Sequence, residues 1–190
     1  IAGPFCGQVF GDLGADVVKV ERADGGEEGR RVGEMVDGET LFFMGANRNK
    51  RSLTLDFRNP DGQALLRRLA AKADILIENF RPGTLEKMGC GYDVLSEENP
   101  GLILVRVSGF GQDGPMASHP CFDGAAQAHS GIMTLTGPAG GAPTMAGVFV
   151  ADYSTALYAS IAALAALQAR QDTGKGQVVE ATLMDSALSM

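Results

Sequence analysis

The sequence predicts an α/β domain, a parallel sheet with helices on its faces, and three observations predict it. Strand-like and helix-like segments alternate from the amino terminus, in the order expected of linked β-α-β units. The strand-like segments are short runs rich in Val, Ile and Leu, as in strands buried on both faces. The composition, 45% hydrophobic and 21% charged over 190 residues, is that of a globular domain with a sizeable core.

Taken in order, residues 4–13 have a helical pattern, and after Gly14 the run "ADVVKVE" forms a strand with Val17, Val18 and Val20 buried on both faces. Residues 23–50 are rich in Gly and charge, and "DGGEEGRR" reads as an exposed loop. "RSLTLDF" is a second strand. The helix in "NPDGQALLRRLAAKA" has Asn59 as its cap, Pro60 in its first turn and Leu65, Leu66 and Leu69 as its apolar stripe. "DILIENF" is a third strand, followed by the turn "RPG" and short helices in "TLEKMG" and "GYDVLSEENPGL". The strand "LILVRVSGF" precedes a Gly/Pro-rich loop over 109–121 and a helix near 122–130. The loop "TGPAGGAP" leads to a long helix over 152–169, whose Ala-rich stretch 154–169 reads as buried rather than membrane-spanning. The turn "DTGKGQ", the strand "VVEATL" and a final helix complete the chain.

Charge and cysteines exclude several functions. A net charge of -7 argues against a nucleic-acid surface, which needs clustered positive charge. Cys6, Cys90 and Cys121 are widely spaced and odd in number, as expected of reduced thiols in a cytoplasmic protein, and Cys6 reads as a core residue. His119 and His129 have no cysteine at zinc-ligand spacing, so no metal site is expected. "TGPAGGAP" and "DGGEEG" lack both phosphate-loop spacings and read as plain loops. The start lacks the basic segment of a signal peptide, and no membrane association is expected. The chain opens inside a helical pattern without Met and stops at "LMDSALSM" with helical periodicity still running, which points to a fragment.

Two features carry possible chemistry. In open α/β sheets ligands bind beyond the carboxyl ends of the strands. There the sequence places Glu21-Arg22, Asp56-Phe57-Arg58 and Glu78-Asn79-Phe80-Arg81. Arginines with an apolar ring suit a phosphorylated nucleotide, although strand-end charges are commonly just solvated. The second feature is Asp152, the only Asp, Glu, Lys or Arg between Asp123 and Arg170. Spacing alone favours a helix N-cap; the isolation of the charge in an apolar stretch equally allows a chemical role.

The segments "AGPFCGQVFGDLGADVVKVERADGGE", "RNKRSLTLDFRNPDG", "ADILIENFRPGTLEKMG", "NPGLILVRVSGFGQDGP" and "TGKGQVVEATLMDSAL" together resemble the family III CoA-transferases. That family includes formyl-CoA and carnitine CoA-transferases and the 2-methylacyl-CoA racemases. The resemblance runs over essentially the whole chain, but members are about twice as long. It implies that residues 1–190 are the N-terminal portion of a Rossmann-like large domain from an interlocked homodimer. It also implies an acyl-CoA donor and a carboxylic acid acceptor as substrates, with no tightly bound cofactor.

Carried over by position, the resemblance makes Asp152 the catalytic residue, forming an acyl-aspartyl anhydride and then an aspartyl-CoA thioester. It assigns CoA contacts to Arg22, to Leu55, Asp56, Phe57 and Arg58, to Asn79, Phe80 and Arg81, to Lys87, and to Pro120, Cys121, Phe122 and Asp123. Ile1 and Ala2 correspond to a contact beside the thioester; formyl-CoA transferase has glutamine at the first, so Ile1 argues against formyl or oxalyl specificity. The racemases carry His before the aspartate that matches Asp123. Here Phe122 stands at that place and cannot move a proton, which favours transfer over racemisation. A non-catalytic acyl-CoA-binding module is the alternative outside enzyme chemistry.

Overall fold

The computed structural model describes residues 1–190. Its strands are β1 (Val17–Glu21), β2 (Met35–Val36), β3 (Glu39–Thr40), β4 (Lys50–Thr54), β5 (Ile75–Glu78), β6 (Ile103–Ser108) and β7 (Val178–Thr182). The helices are α1 (Ala2–Asp12), α2 (Leu41–Asn47), α3 (Pro60–Ala70), α4 (Thr84–Lys87), α5 (Tyr92–Glu98), α6 (Asp123–Ser130), α7 (Ile132–Leu135), α8 (Val150–Thr173) and α9 (Leu183–Leu188). The α/β class and the parallel pairing are as the sequence predicts. The parallel strands fall into two sheets rather than one: β1 pairs with β4, and β5, β6 and β7 pair in that order.

The central strand β6 divides the core. Ile103, Val105 and Val107 face a cluster with Cys6, Phe10, Val179 and the α8 alanines, while Leu104 faces Leu66, Leu85 and Leu95. Successive side chains point to opposite faces, so a strand between two helical layers must be apolar throughout. Burying each such side chain stabilises the fold by about 1.5–3 kcal/mol. Cys6 lies in this core, as its apolar context predicted.

Local signals act where they were read. Asn59 caps α3, its side-chain oxygen accepting the Asp61 amide at 3.0 Å, with Pro60 as the first helical residue. Gly174, at φ 68°, ends α8 in the left-handed conformation that glycine adopts without strain.

Four expectations need correction. β1 is not buried on both faces: Val18 is 40% exposed on one face of the two-stranded β1–β4 sheet. Residues 23–50 hold a turn of 3-10 helix (Glu28–Arg31), the antiparallel β2–β3 hairpin, and α2, whose cap Thr40 accepts the Phe43 amide at 3.1 Å. The "DGGEEGRR" segment is partly buried, with Gly26 and Gly29 enclosed. The Ala-rich helix is buried on one face only. Ala156, Ala159, Ala163 and Ala166 pack inward, whereas Leu157, Ile161 and Leu164 are exposed, Ile161 at 62%. By length and composition α8 would suffice to cross a membrane, yet here its alanine face closes the core against β6 and β7. Finally, Asp152 is not the cap of α8. Phe149 occupies that place without a side-chain cap bond, and Asp152 is the third helical residue.

Candidate active site

Asp152 lies where the first turns of α8 and α1 meet. Phe5 packs edge-on against Tyr153, with ring centroids 4.8 Å apart, and locks the two helix ends together. Asp152 is half-buried, so its side chain still reaches the surface. Burial is the main cause that pushes its carboxyl above the usual 3.8; Asp123 adds to the rise, while the Ala2 amide opposes it. Ile1 and Ala2 therefore lie beside Asp152.

Asp123, the first residue of α6, is buried at 3% exposure with its side chain turned towards α8. One oxygen accepts the backbone N–H of Asp152 at 3.0 Å, and the other accepts from Nε2 of Gln127. Gln127, fully buried, also takes the Ala146 amide on its Oε1 at 2.9 Å, tying down the segment that leads into α8. Cys121 is half-buried nearby; burial, then Asp152 and Asp123, push its thiol up and keep it protonated. Gly109 makes room for it: a Cβ there would meet Cys121 Cβ at 2.2 Å. Phe122 stands 84% exposed and Pro120 is exposed beside it.

From Asp152 a path of contacts runs to the strand ends. Gly3, next to Ala2, abuts Asn79 so closely that a Cβ would sit 2.9 Å from its side chain. Asn79 opens the turn after β5, and the Phe80 amide donates to Oε2 of Glu78 at 2.7 Å. Phe80 meets Phe57 edge-on at 6.2 Å, linking this turn to the segment after β4. Leu55 and Asp56 there line a shallow cavity of about 250 Å³ with Asn59, Asp61 and Gly62. Arg58, Arg81 and Lys87 are exposed around this path. Arg22 is exposed as well, but its guanidinium is held within its own loop by the Gly26 carbonyl at 3.0 Å and by Glu28 at 2.8 Å.

Two buried networks escaped the sequence reading. Glu21, at the end of β1, accepts Arg30 through both oxygens at 2.8 Å, together with Ser52 and the Glu27 amide, and so shapes the loop that carries Arg22. Gln127 gave no signal beyond its place four residues after Asp123 on one helix face.

Known proteins match this chain over its whole length. The family model for CoA-transferase family III matches residues 1–190. The succinyl-CoA–L-malate CoA-transferase beta subunit of Chloroflexus aurantiacus is 48% identical over 188 residues, which are 98% of this chain and 46% of the relative. The succinyl-CoA:glutarate CoA-transferase of Homo sapiens is 39% identical over 190 residues, 100% of this chain and 43% of the relative. A CAIB/BAIF family protein from Brucella suis superposes with a TM-score of 0.95 at 44% identity, covering 100% of this chain and 51% of that one. The chain thus spans about half the length of the relatives it matches. With a family-wide match and such a superposition, the chain belongs to CoA-transferase family III.

Proposed function

We propose that this chain carries the nucleophile and much of the CoA contact surface of a CoA-transferase, with Asp152 as covalent carrier. The observation that supports it is Asp152 itself: a half-buried carboxylate in the first turn of α8, at one end of a continuous path to the Asn79–Arg81 turn and Phe57. A carboxylate with few water partners is a stronger nucleophile than a solvated one.

In this reading the carboxylate attacks the donor thioester carbonyl, the C–S bond breaks, and CoA leaves as thiolate from an acyl-aspartyl anhydride. The thiolate attacks the aspartyl carbonyl and expels the donor acid as carboxylate, leaving aspartyl-CoA. The acceptor carboxylate displaces the thiolate from that thioester, forming a second mixed anhydride. Attack of the thiolate on the acceptor's carbonyl yields the new acyl-CoA and restores Asp152. Each step exchanges one acyl bond for another, and no redox or metal chemistry is invoked. Arg22, Leu55–Arg58 and Lys87 hold the nucleotide and its phosphates, the Asn79–Phe80–Arg81 turn lies beside the pantetheine and diphosphate, residues 120–123 run along the pantetheine arm, and Ile1 and Ala2 flank the thioester.

The names of the relatives support a succinyl-CoA donor and a dicarboxylic acceptor. The same reading makes residues 1–190 the N-terminal portion of a large domain, working as an interlocked homodimer in the cytoplasm. The test is to incubate the full-length protein with succinyl-CoA and a panel of dicarboxylic acids, trap with hydroxylamine and map the modified peptide by mass. Modification at Asp152, and loss of transfer by at least about a thousandfold in Asp152→Asn, is the expected result. Transfer that survives Asp152→Asn overturns it, as does solvent deuterium exchange at the α-carbon without transfer.

A further inference from the structure

The helix that carries the reactive carboxylate has first amides that need acceptors from outside the helix, and a side chain does not cap its own residue's N–H. Phe149 offers no side-chain cap, yet the amide of Asp152 is satisfied by Asp123, 29 positions earlier, at 3.0 Å. We propose that Asp123 is a positioning residue that holds the first turn of α8 from α6 through the Asp152 amide, and so fixes where the Asp152 carboxylate points and opposes its ionisation.

Three observations carry this. Asp123 is buried at 3% exposure, and both its oxygens are occupied by internal donors, the Asp152 amide and Gln127. Nε2 of Gln127 donates to Asp123 and reaches the Val148 carbonyl at 3.4 Å, while its Oε1 takes the Ala146 amide at 2.9 Å, so one network sets both the hold on α8 and the approach to it. Third, the groups around Asp152 are Asp123 from α6, Cys121 from the preceding loop, and the Ala2 amide at the start of α1. Among them Asp123 is the one that both takes a backbone donor from Asp152 and opposes its ionisation. A charge so placed partly cancels the positive end of the α8 dipole, which would otherwise stabilise the Asp152 anion and blunt it.

The inference rests on the covalent role of Asp152, and the experiment separates the two. In the full-length protein, Asp123→Asn is compared with wild type for the single-turnover rate of Asp152 acylation, and for the titration midpoint of Asp152 followed by carbon NMR without substrate. With CoA thioester at saturation for each protein, the expected result is acylation slower by at least about tenfold and a midpoint moved downward. An unmoved midpoint, or an unchanged acylation rate, overturns it. If wild type is never acylated, the transferase reading falls while the titration still decides the role of Asp123. Should Asp123→Asn not fold, Asp123→Glu keeps the charge but shifts the hold on α8; acylation at the wild-type rate in that variant overturns the proposal.

Discussion

Glu78 and Arg106 face each other in register on β5 and β6, and Nε of Arg106 donates to Oε1 of Glu78 at 2.8 Å. Arg106 also reaches Glu86 of α4 at 2.8 Å, and the second oxygen of Glu78 holds the Phe80 amide. A buried ion pair thus anchors the turn that carries Asn79, Phe80 and Arg81. Arg106→Leu, which leaves Glu78 buried without its partner, is expected to lower stability by about 3–5 kcal/mol, read from urea unfolding. Glu78→Ala frees the Phe80 amide and loosens the turn, so CoA affinity should fall by about tenfold, read by calorimetry.

Asp152 should oppose stability where it serves reactivity. Its carboxyl lies above the usual 3.8, chiefly through burial, so the folded state holds the proton more tightly than the unfolded chain. That contribution is fully present below pH 3.8 and is lost as pH rises through the folded-state midpoint. At pH 7 Asp152→Asn is therefore expected to melt about 2–4 °C higher than wild type, with the gain shrinking at low pH. A melting point lowered at pH 7 would contradict the assigned sign.

Glu21 behaves in the opposite sense. The Arg30 hydrogen bonds, assisted by Ser52 and the Glu27 amide, bring its carboxyl down from 4.5 to about 2 despite burial. Its stabilisation, at most about 3 kcal/mol, is present above pH 4.5 and disappears as pH falls towards 2. Glu21→Gln should remove that part of the acid-unfolding slope and loosen the loop bearing Arg22. Acid titration monitored by circular dichroism checks both the slope and its window.

Gly62 lies in the first turn of α3, against the segment after β4. A Cβ there would sit 2.1 Å from the Asp56 carbonyl oxygen, a backbone atom that cannot swing away. Gly62→Ala is expected to cost about 1–3 kcal/mol and to displace Asp56–Arg58, weakening CoA binding. An alanine variant with wild-type affinity and unfolding midpoint would refute that packing.

Much of this architecture is legible along the chain. Asn59-Pro60 marks the start of α3, the unbroken apolar run of β6 marks a strand covered on both faces, and Asp152 stands out as a lone charge. Such signals work because hydrogen-bond caps and side-chain periodicity act within a turn or two of the backbone. The division of the parallel strands into two sheets, the outward leucines of α8 and the assignment of its cap were decided only by tertiary structure. Local spacing nominated Asp152 as the cap, whereas closure of α6 onto α8 places Asp123 on the Asp152 amide. Which distant side chain meets a helix's first amides depends on how remote segments fill the core together, and neighbours in sequence carry no record of it.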